Sequence, residues 1–284
     1  MAFLYRQFRT QAELDAEYDV ERSVADFPGY ISHFDEVGRR AVDRLRPRFN
    51  IPYGQTRAEY LDFYAGAGDK PPLLVFFHGG YWRILSSRDF AFAMPGPVAN
   101  GFAVANVNYA LAPSASMAEI VRQCRSAIAW LMRQDGLAFD RTRIVLAGHS
   151  AGAHLAANCL LTDWDEDYGL PPDLVRGALL VSGLYDLRPL PYTFVQPALQ
   201  LTAAEIERYS PTLRVRGGLP PVIVSYGDQE PAEFQRQSID FGQALGACGN
   251  SVALAPQPGR DHFSAMFDFE DGESSLMRAL AGLS

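Results

Sequence analysis

Residues 148–152 read Gly-His-Ser-Ala-Gly. An apolar run that begins at Arg143 and Ile144 and ends at Ala147 precedes them, and a helix-like stretch, 153–161, follows. Between a strand and a helix, G-x-S-x-G requires a turn sharp enough to push its central side chain out at the top of a sheet. A bulky residue at either glycine would collide with neighbouring backbone. Ser150 is therefore the candidate nucleophile. In a chain of 284 residues with 24 glycines, the five-letter pattern alone arises by chance roughly one time in ten. The remaining parts of a hydrolytic site must therefore be found independently.

The surrounding chain alternates strand and helix signals. Segment 59–64 alternates apolar and polar residues and reads as an edge strand, while 73–77 is a continuous apolar run, as a buried strand would be. Further strands are expected at 102–107, 178–182, 222–226 and 252–255, besides the one ending at Ala147. Ile120, Val121, Cys124, Ile128, Leu131 and Met132 share one helical face. Helices are also expected at 233–245 and 275–283. This alternation predicts an α/β protein with a mainly parallel central sheet and helices on both faces. The chain reads as one domain, 1–284. Before the sheet lies a helical extension, about 1–50, with segments at 11–18 and 36–45 broken by Pro28-Gly29. Segment 47–54 reads as a linker. Segment 186–218, rich in Pro and aromatics, is long for a connector and is a candidate lid.

Composition narrows the function classes. The hydrophobic fraction of 48% fits a soluble globular protein. No apolar run approaches the ~20 residues that span a bilayer, and the charged first fifteen residues do not read as a signal peptide. Cys124, Cys159 and Cys248 are unclustered and odd in number, which points to reduced thiols in a cytoplasm and to no metal site. A net charge of -8 argues against nucleic acid and anionic membranes. No G-x-G-x-x-G follows a strand, and no H-E-x-x-H occurs. No cofactor is expected. The expected partner is a small-molecule substrate, and a homodimer is left open.

A serine hydroxyl needs a neighbouring base. Of the five histidines, His33 lies outside the sheet region, His78 opens a Gly-Gly turn, His149 is inside the elbow, and His154 sits one helical turn beyond Ser150. His262 remains, in the loop between the last strand and the last helix, where an open α/β sheet delivers side chains to its carboxyl edge. The acid should lie between Ser150 and His262 in the chain. Strand 222–226 runs into Gly227-Asp228-Gln229-Glu230. Glu230 is preferred because three residues let the loop turn towards the histidine. Asp228 is the alternative, although it would more naturally cap the turn. His78-Gly79-Gly80-Tyr81-Trp82 follows strand 73–77, and glycines there let bare N–H groups face a developing oxyanion. Gly79, Gly80 and Ala151 are the candidate donors, Ala151 because it follows the nucleophile at a helix N-terminus. Tyr81 and Trp82 are candidate pocket residues.

These motifs together resemble the α/β-hydrolase superfamily over nearly the whole length. Within it the chain is similar to the kynurenine formamidase (arylformamidase) group. The resemblance rests on His-Gly-Gly-Tyr-Trp at 78–82, Asn-Tyr-Ala-Leu-Ala-Pro at 108–113, Ser-Gly-Leu-Tyr-Asp-Leu at 182–187 and Gln-Ala-Glu-Leu-Asp-Ala-Glu-Tyr at 11–18. It implies the α/β-hydrolase fold and hydrolysis of N-formyl-L-kynurenine to L-kynurenine and formate, a step of tryptophan breakdown, through a formyl-enzyme. The family acid is frequently aspartate, whereas the matching position here is Glu230. Two rival functions are a carboxylesterase acting on short acyl esters and a non-catalytic hydrolase-fold binding protein.

Overall fold

The structure, a computed structural model, describes residues 3–284. Among these residues eight strands form one sheet: β1 (Arg48–Pro52), β2 (Tyr60–Tyr64), β3 (Leu73–Phe77), β4 (Ala103–Val107), β5 (Ile144–His149), β6 (Val175–Val181), β7 (Val222–Gly227) and β8 (Val252–Gln257). Their order is β1-β2-β4-β3-β5-β6-β7-β8. Pairing is parallel from β4 through β8 and antiparallel at β1–β2 and β2–β4. The apolar runs read from the sequence are the central strands. β3, β4 and β5 are buried at every residue, because helices cover both faces and leave no polar side to alternate with.

Alternate residues of β3 divide between two cores. Leu73, Val75 and Phe77 face one, with α3 (Met117–Arg133), α4 (Ala151–Leu160) and α5 (Ala232–Ala247) to be counted among its helices; Leu74 and Phe76 face the other. To this second core α2 (Phe27–Leu45) contributes Phe34 and Val37, and α6 (Ser275–Ala281) contributes Met277 and Leu280. The remaining long element of the extension, α1 (Gln11–Tyr18), buries Leu14 and Tyr18 on the first side.

Two local expectations differ. Pro28-Gly29 is no break: α2 begins at Phe27, so Pro28 sits in the first turn, where its missing N–H costs nothing, and Asp26 caps the helix by accepting from the Gly29 N–H. Segment 47–54 contains β1, so the sheet edge is one strand further out than β2. Segment 186–218 holds short helices, Gln196–Leu199 and Ala203–Tyr209, and buries Leu187, Leu190 and Val195 in the first core.

Candidate active site

The link from β5 to α4 is built by two close backbone approaches. A Cβ on Gly148 would lie 2.4 Å from Gly152 backbone, and a Cβ on Gly152 would lie 1.9 Å from the Phe77 carbonyl oxygen. Only glycine allows α4 to start so tightly against β3. Between them Ser150 takes φ 56° and ψ -121°, a conformation that costs a non-glycine residue about 1–3 kcal/mol. Its N–H donates to the Val181 carbonyl at 2.9 Å, which ties the strained turn to β6.

His262 and Glu230 meet through the loops after β8 and β7. The His262 Nδ1 lies 2.9 Å from Glu230 Oε2. The other carboxylate oxygen, Oε1, accepts from the Ser182 hydroxyl and from the Gly227 N–H, both at 2.6 Å. Three donors thus fix a carboxylate that is almost wholly buried. With Nδ1 engaged, Nε2 is the ring nitrogen left for a serine hydroxyl. Gly227 also permits the approach of the two loops, since a Cβ there would lie 2.1 Å from the Arg260 carbonyl oxygen. Asp228 goes elsewhere: its carboxylate accepts from the Gly259 N–H at 2.7 Å and caps the exposed turn.

Ser150 and His262 line one cavity of about 360 Å³. No hydrogen bond joins Ser150 Oγ to the imidazole within 3.5 Å. In hydrolytic sites without substrate this contact is often long and tightens on binding. Gly80 lines the same cavity at φ 106°, where a Cβ would lie 2.3 Å from the Ile84 carbonyl oxygen. The Gly79 and Gly80 N–H groups donate to no protein acceptor among the described residues. Ala151 is the first residue of α4, so its N–H has no partner within the helix. His78 holds the Gly-Gly turn from below: Nδ1 lies 2.8 Å from the Gly79 carbonyl oxygen, and its ring stacks on Tyr109 with centroids 4.1 Å apart. Burial pushes its pKa down to about 4, so it is neutral.

Tyr81 lines the cavity and donates its hydroxyl proton to the Tyr18 carbonyl at 2.6 Å. Trp82 is a correction. It is not among the cavity residues; it is fully buried, and its indole N–H donates to His154 Nδ1 at 3.2 Å. Its backbone takes φ 56°, and its ring packs edge-on against His154 of α4, with centroids 4.8 Å apart. His154 in turn donates from Nε2 to the Tyr209 carbonyl at 2.7 Å.

Several site residues escaped the sequence reading. Ser182 sits at φ 54° at the end of β6 and steadies Glu230. His149 also lines the cavity: its Nε2 donates to the His262 carbonyl at 2.9 Å, and the two rings lie 4.6 Å apart. Burial and then the nearby His262 hold its pKa well below the usual histidine value. The N-terminal extension and the segment from Gly80 to Phe92 supply most of the cavity wall, the former through Tyr18, Val20, Phe27, Ile31 and Phe34, while segment 186–218 supplies only Phe194. Tyr30 of α2 donates to Asp261 at 2.7 Å and stacks on Phe263, which couples the extension to the histidine loop. No contiguous motif signals this, because the contacts span more than two hundred residues.

The sequence profile of the alpha/beta hydrolase fold family matches residues 74–266, from β3 to just past His262. The chain belongs to the alpha/beta-hydrolase family. Within it the chain is kynurenine formamidase-like. It is 33% identical to a kynurenine formamidase of Danio rerio over 258 residues, 88% of this chain and 86% of that one. It is 29% identical to the esterase LipQ of Mycobacterium tuberculosis, over 75% of this chain and 56% of that protein. A solved structure of a protein from Silicibacter superposes with a TM-score of 0.80 and 29% identity, over 94% of this chain and 98% of that one. Among the described residues no cluster of metal-ligating side chains occurs, and no helix is long and apolar enough to cross a membrane.

Proposed function

We propose that the protein is a serine hydrolase of aryl formamides, acting on N-formyl-L-kynurenine to give L-kynurenine and formate, as a step of tryptophan breakdown. The observation that carries this reading is the buried Glu230–His262 pair beside the strained Ser150 at one cavity. The likeness to the Danio rerio formamidase selects the substrate class. Ser150 Oγ attacks the formyl carbon while His262 Nε2 takes its proton. Glu230 holds the imidazole tautomer and stabilises the imidazolium. The oxyanion of the tetrahedral adduct accepts from the N–H groups of Gly79, Gly80 and Ala151, each worth about 3 kcal/mol at the transition state. His262 returns its proton to the aryl nitrogen, the C–N bond breaks, and the arylamine leaves. Water, deprotonated by His262, then attacks the formyl ester, and formate departs as Ser150 recovers its proton.

The same machinery cleaves esters, and the esterase LipQ relative favours a carboxylesterase of short acyl esters as the second reading. The two separate on one panel: kcat/KM for N-formyl-L-kynurenine against a short p-nitrophenyl ester, measured side by side. The formamidase reading expects the formamide to be the better substrate, and parity or worse rejects it. A chain that turns over neither would be the non-catalytic binding protein.

A further inference from the structure

Arg83 follows the oxyanion motif by one residue and lines the cavity. Two guanidinium groups reach that wall. Arg22 is paired with Asp19 at 3.2 Å and is mostly exposed. Arg83 has no such counter-ion: none of the ion pairs within 4.0 Å among the described residues includes it, and its Nε is buried without a hydrogen-bond partner. Its guanidinium instead lies over the Phe194 ring, 5.4 Å from the centroid. Phe194 is a cavity residue held by its N–H on Asp15 at 2.7 Å. A half-buried, unpaired cation on a largely apolar wall is costly, since an unsatisfied charged donor forfeits its desolvation without return. The turn that presents it is strained as well, with Tyr81 at φ 50° and Trp82 at φ 56°. Backbone strain of this kind persists where the surroundings over-determine it, often at ligand clamps.

We infer that Arg83 is the specificity-determining residue that receives a carboxylate of the substrate, so that the cavity selects aryl formamides that bear a carboxylate over those that lack one. A guanidinium fork matches a carboxylate in two parallel hydrogen bonds, and the stacked Phe194 pre-orders the fork. Arg83 stands three residues beyond Gly80, and its N–H donates to the Gly80 carbonyl at 3.0 Å. The anion subsite and the oxyanion turn therefore belong to one rigid loop, which sets the distance between a bound carboxylate and the reacting carbonyl. The choice of probe rests on the aryl-formamide reading, but the test does not need turnover.

Isothermal titration calorimetry of the full chain with L-kynurenine and with kynuramine, its analogue lacking the carboxylate, reads the effect directly. The wild type should bind L-kynurenine at least about tenfold more tightly. Arg83→Gln should erase that preference by weakening L-kynurenine alone, and Arg83→Lys should restore part of it, because it keeps the charge and loses the fork. Thermal melts check that the variants fold; if Arg83→Gln does not, Arg83→Met, which keeps the stem against Phe194, takes its place. Equal affinities in the wild type, binding of neither compound, or a preference that survives the loss of the guanidinium would overturn the inference. Failure of the wild type to hydrolyse N-formyl-L-kynurenine while the binding preference holds would instead count against the formamidase reading alone.

Discussion

At the scale of single residues, the site separates groups by what holds them. Glu230 is gripped by His262, Ser182 and the Gly227 N–H, whereas Asp228 caps an exposed turn. Exchange of each acid for its amide should therefore give unequal results. Glu230→Gln should lower kcat by roughly 10³–10⁴, as the imidazole loses its orienting charge. Asp228→Asn should stay close to wild type, and a larger loss there would transfer the acid role to Asp228. Ser150→Ala should remove roughly 10⁴-fold or more of kcat with an unchanged circular dichroism spectrum; retained turnover would mean another nucleophile. Trp82→Phe tests the residue that moved from pocket to packing. Losing the indole N–H leaves His154 Nδ1 buried and unpaired, so stability should fall by about 1–3 kcal/mol while KM stays constant. A shifted KM would return Trp82 to the cavity wall.

At the scale of elements, the β5–α4 junction and the N-terminal helices do different work. The junction is a matter of backbone clearance. Gly152→Ala puts a methyl 1.9 Å from the Phe77 carbonyl oxygen, so α4 must move off β3 or the chain must abandon the turn. Denaturant unfolding should report a loss of about 3 kcal/mol or more; near-wild-type stability would mean that the helix is not seated so closely. The N-terminal helices work through side chains. Tyr18, itself buried, links the extension to α5 through Glu233 at 3.0 Å and to the Gly79–Tyr81 turn through its own carbonyl, which accepts from the Tyr81 hydroxyl. These contacts make the extension the outer wall of the cavity, while 186–218 is packed mostly into the first core. A parallel sheet leaves its carboxyl edge open, and here the helices α1 and α2 cover it.

At the scale of the whole molecule, three buried histidines set the acid limit. Burial holds His78 and His154 down to about 4, and burial and then the nearby His262 hold His149 well below the usual histidine value. In the unfolded chain each would take up a proton near the ordinary value of about 6.5. Between those two values the unfolded state binds more protons than the native one, so native stability falls as pH drops through that window. His78 and His154 each contribute up to about 3 kcal/mol of loss by pH 4. The melting temperature should thus decline steadily from about pH 6.5 to pH 4, well before carboxylate protonation dominates. A flat melting temperature across that range would mean that these rings are charged, or hydrated, in the native state.

The amino-acid order by itself determined the parts that depend on neighbours along the chain. The strand–turn–helix around Ser150, the buried strands and the Gly-Gly turn after β3 follow from local apolar runs and from glycines where a Cβ has no room. The pairing of His262 with Glu230 could be anticipated because topology brings the ends of neighbouring strands β7 and β8 to one edge. Tertiary structure decided the rest. The start of α2 at Phe27 depends on the Asp26 cap, and β1 becomes a strand only because β2 offers it an edge. The burial of Trp82, the hold of Ser182 on Glu230 and the closing of the cavity by Tyr18 and Phe34 join residues separated by tens to hundreds of positions. Such contacts leave no periodic trace in the chain, because long-range packing is settled by shape and by which polar groups burial leaves in want of a partner.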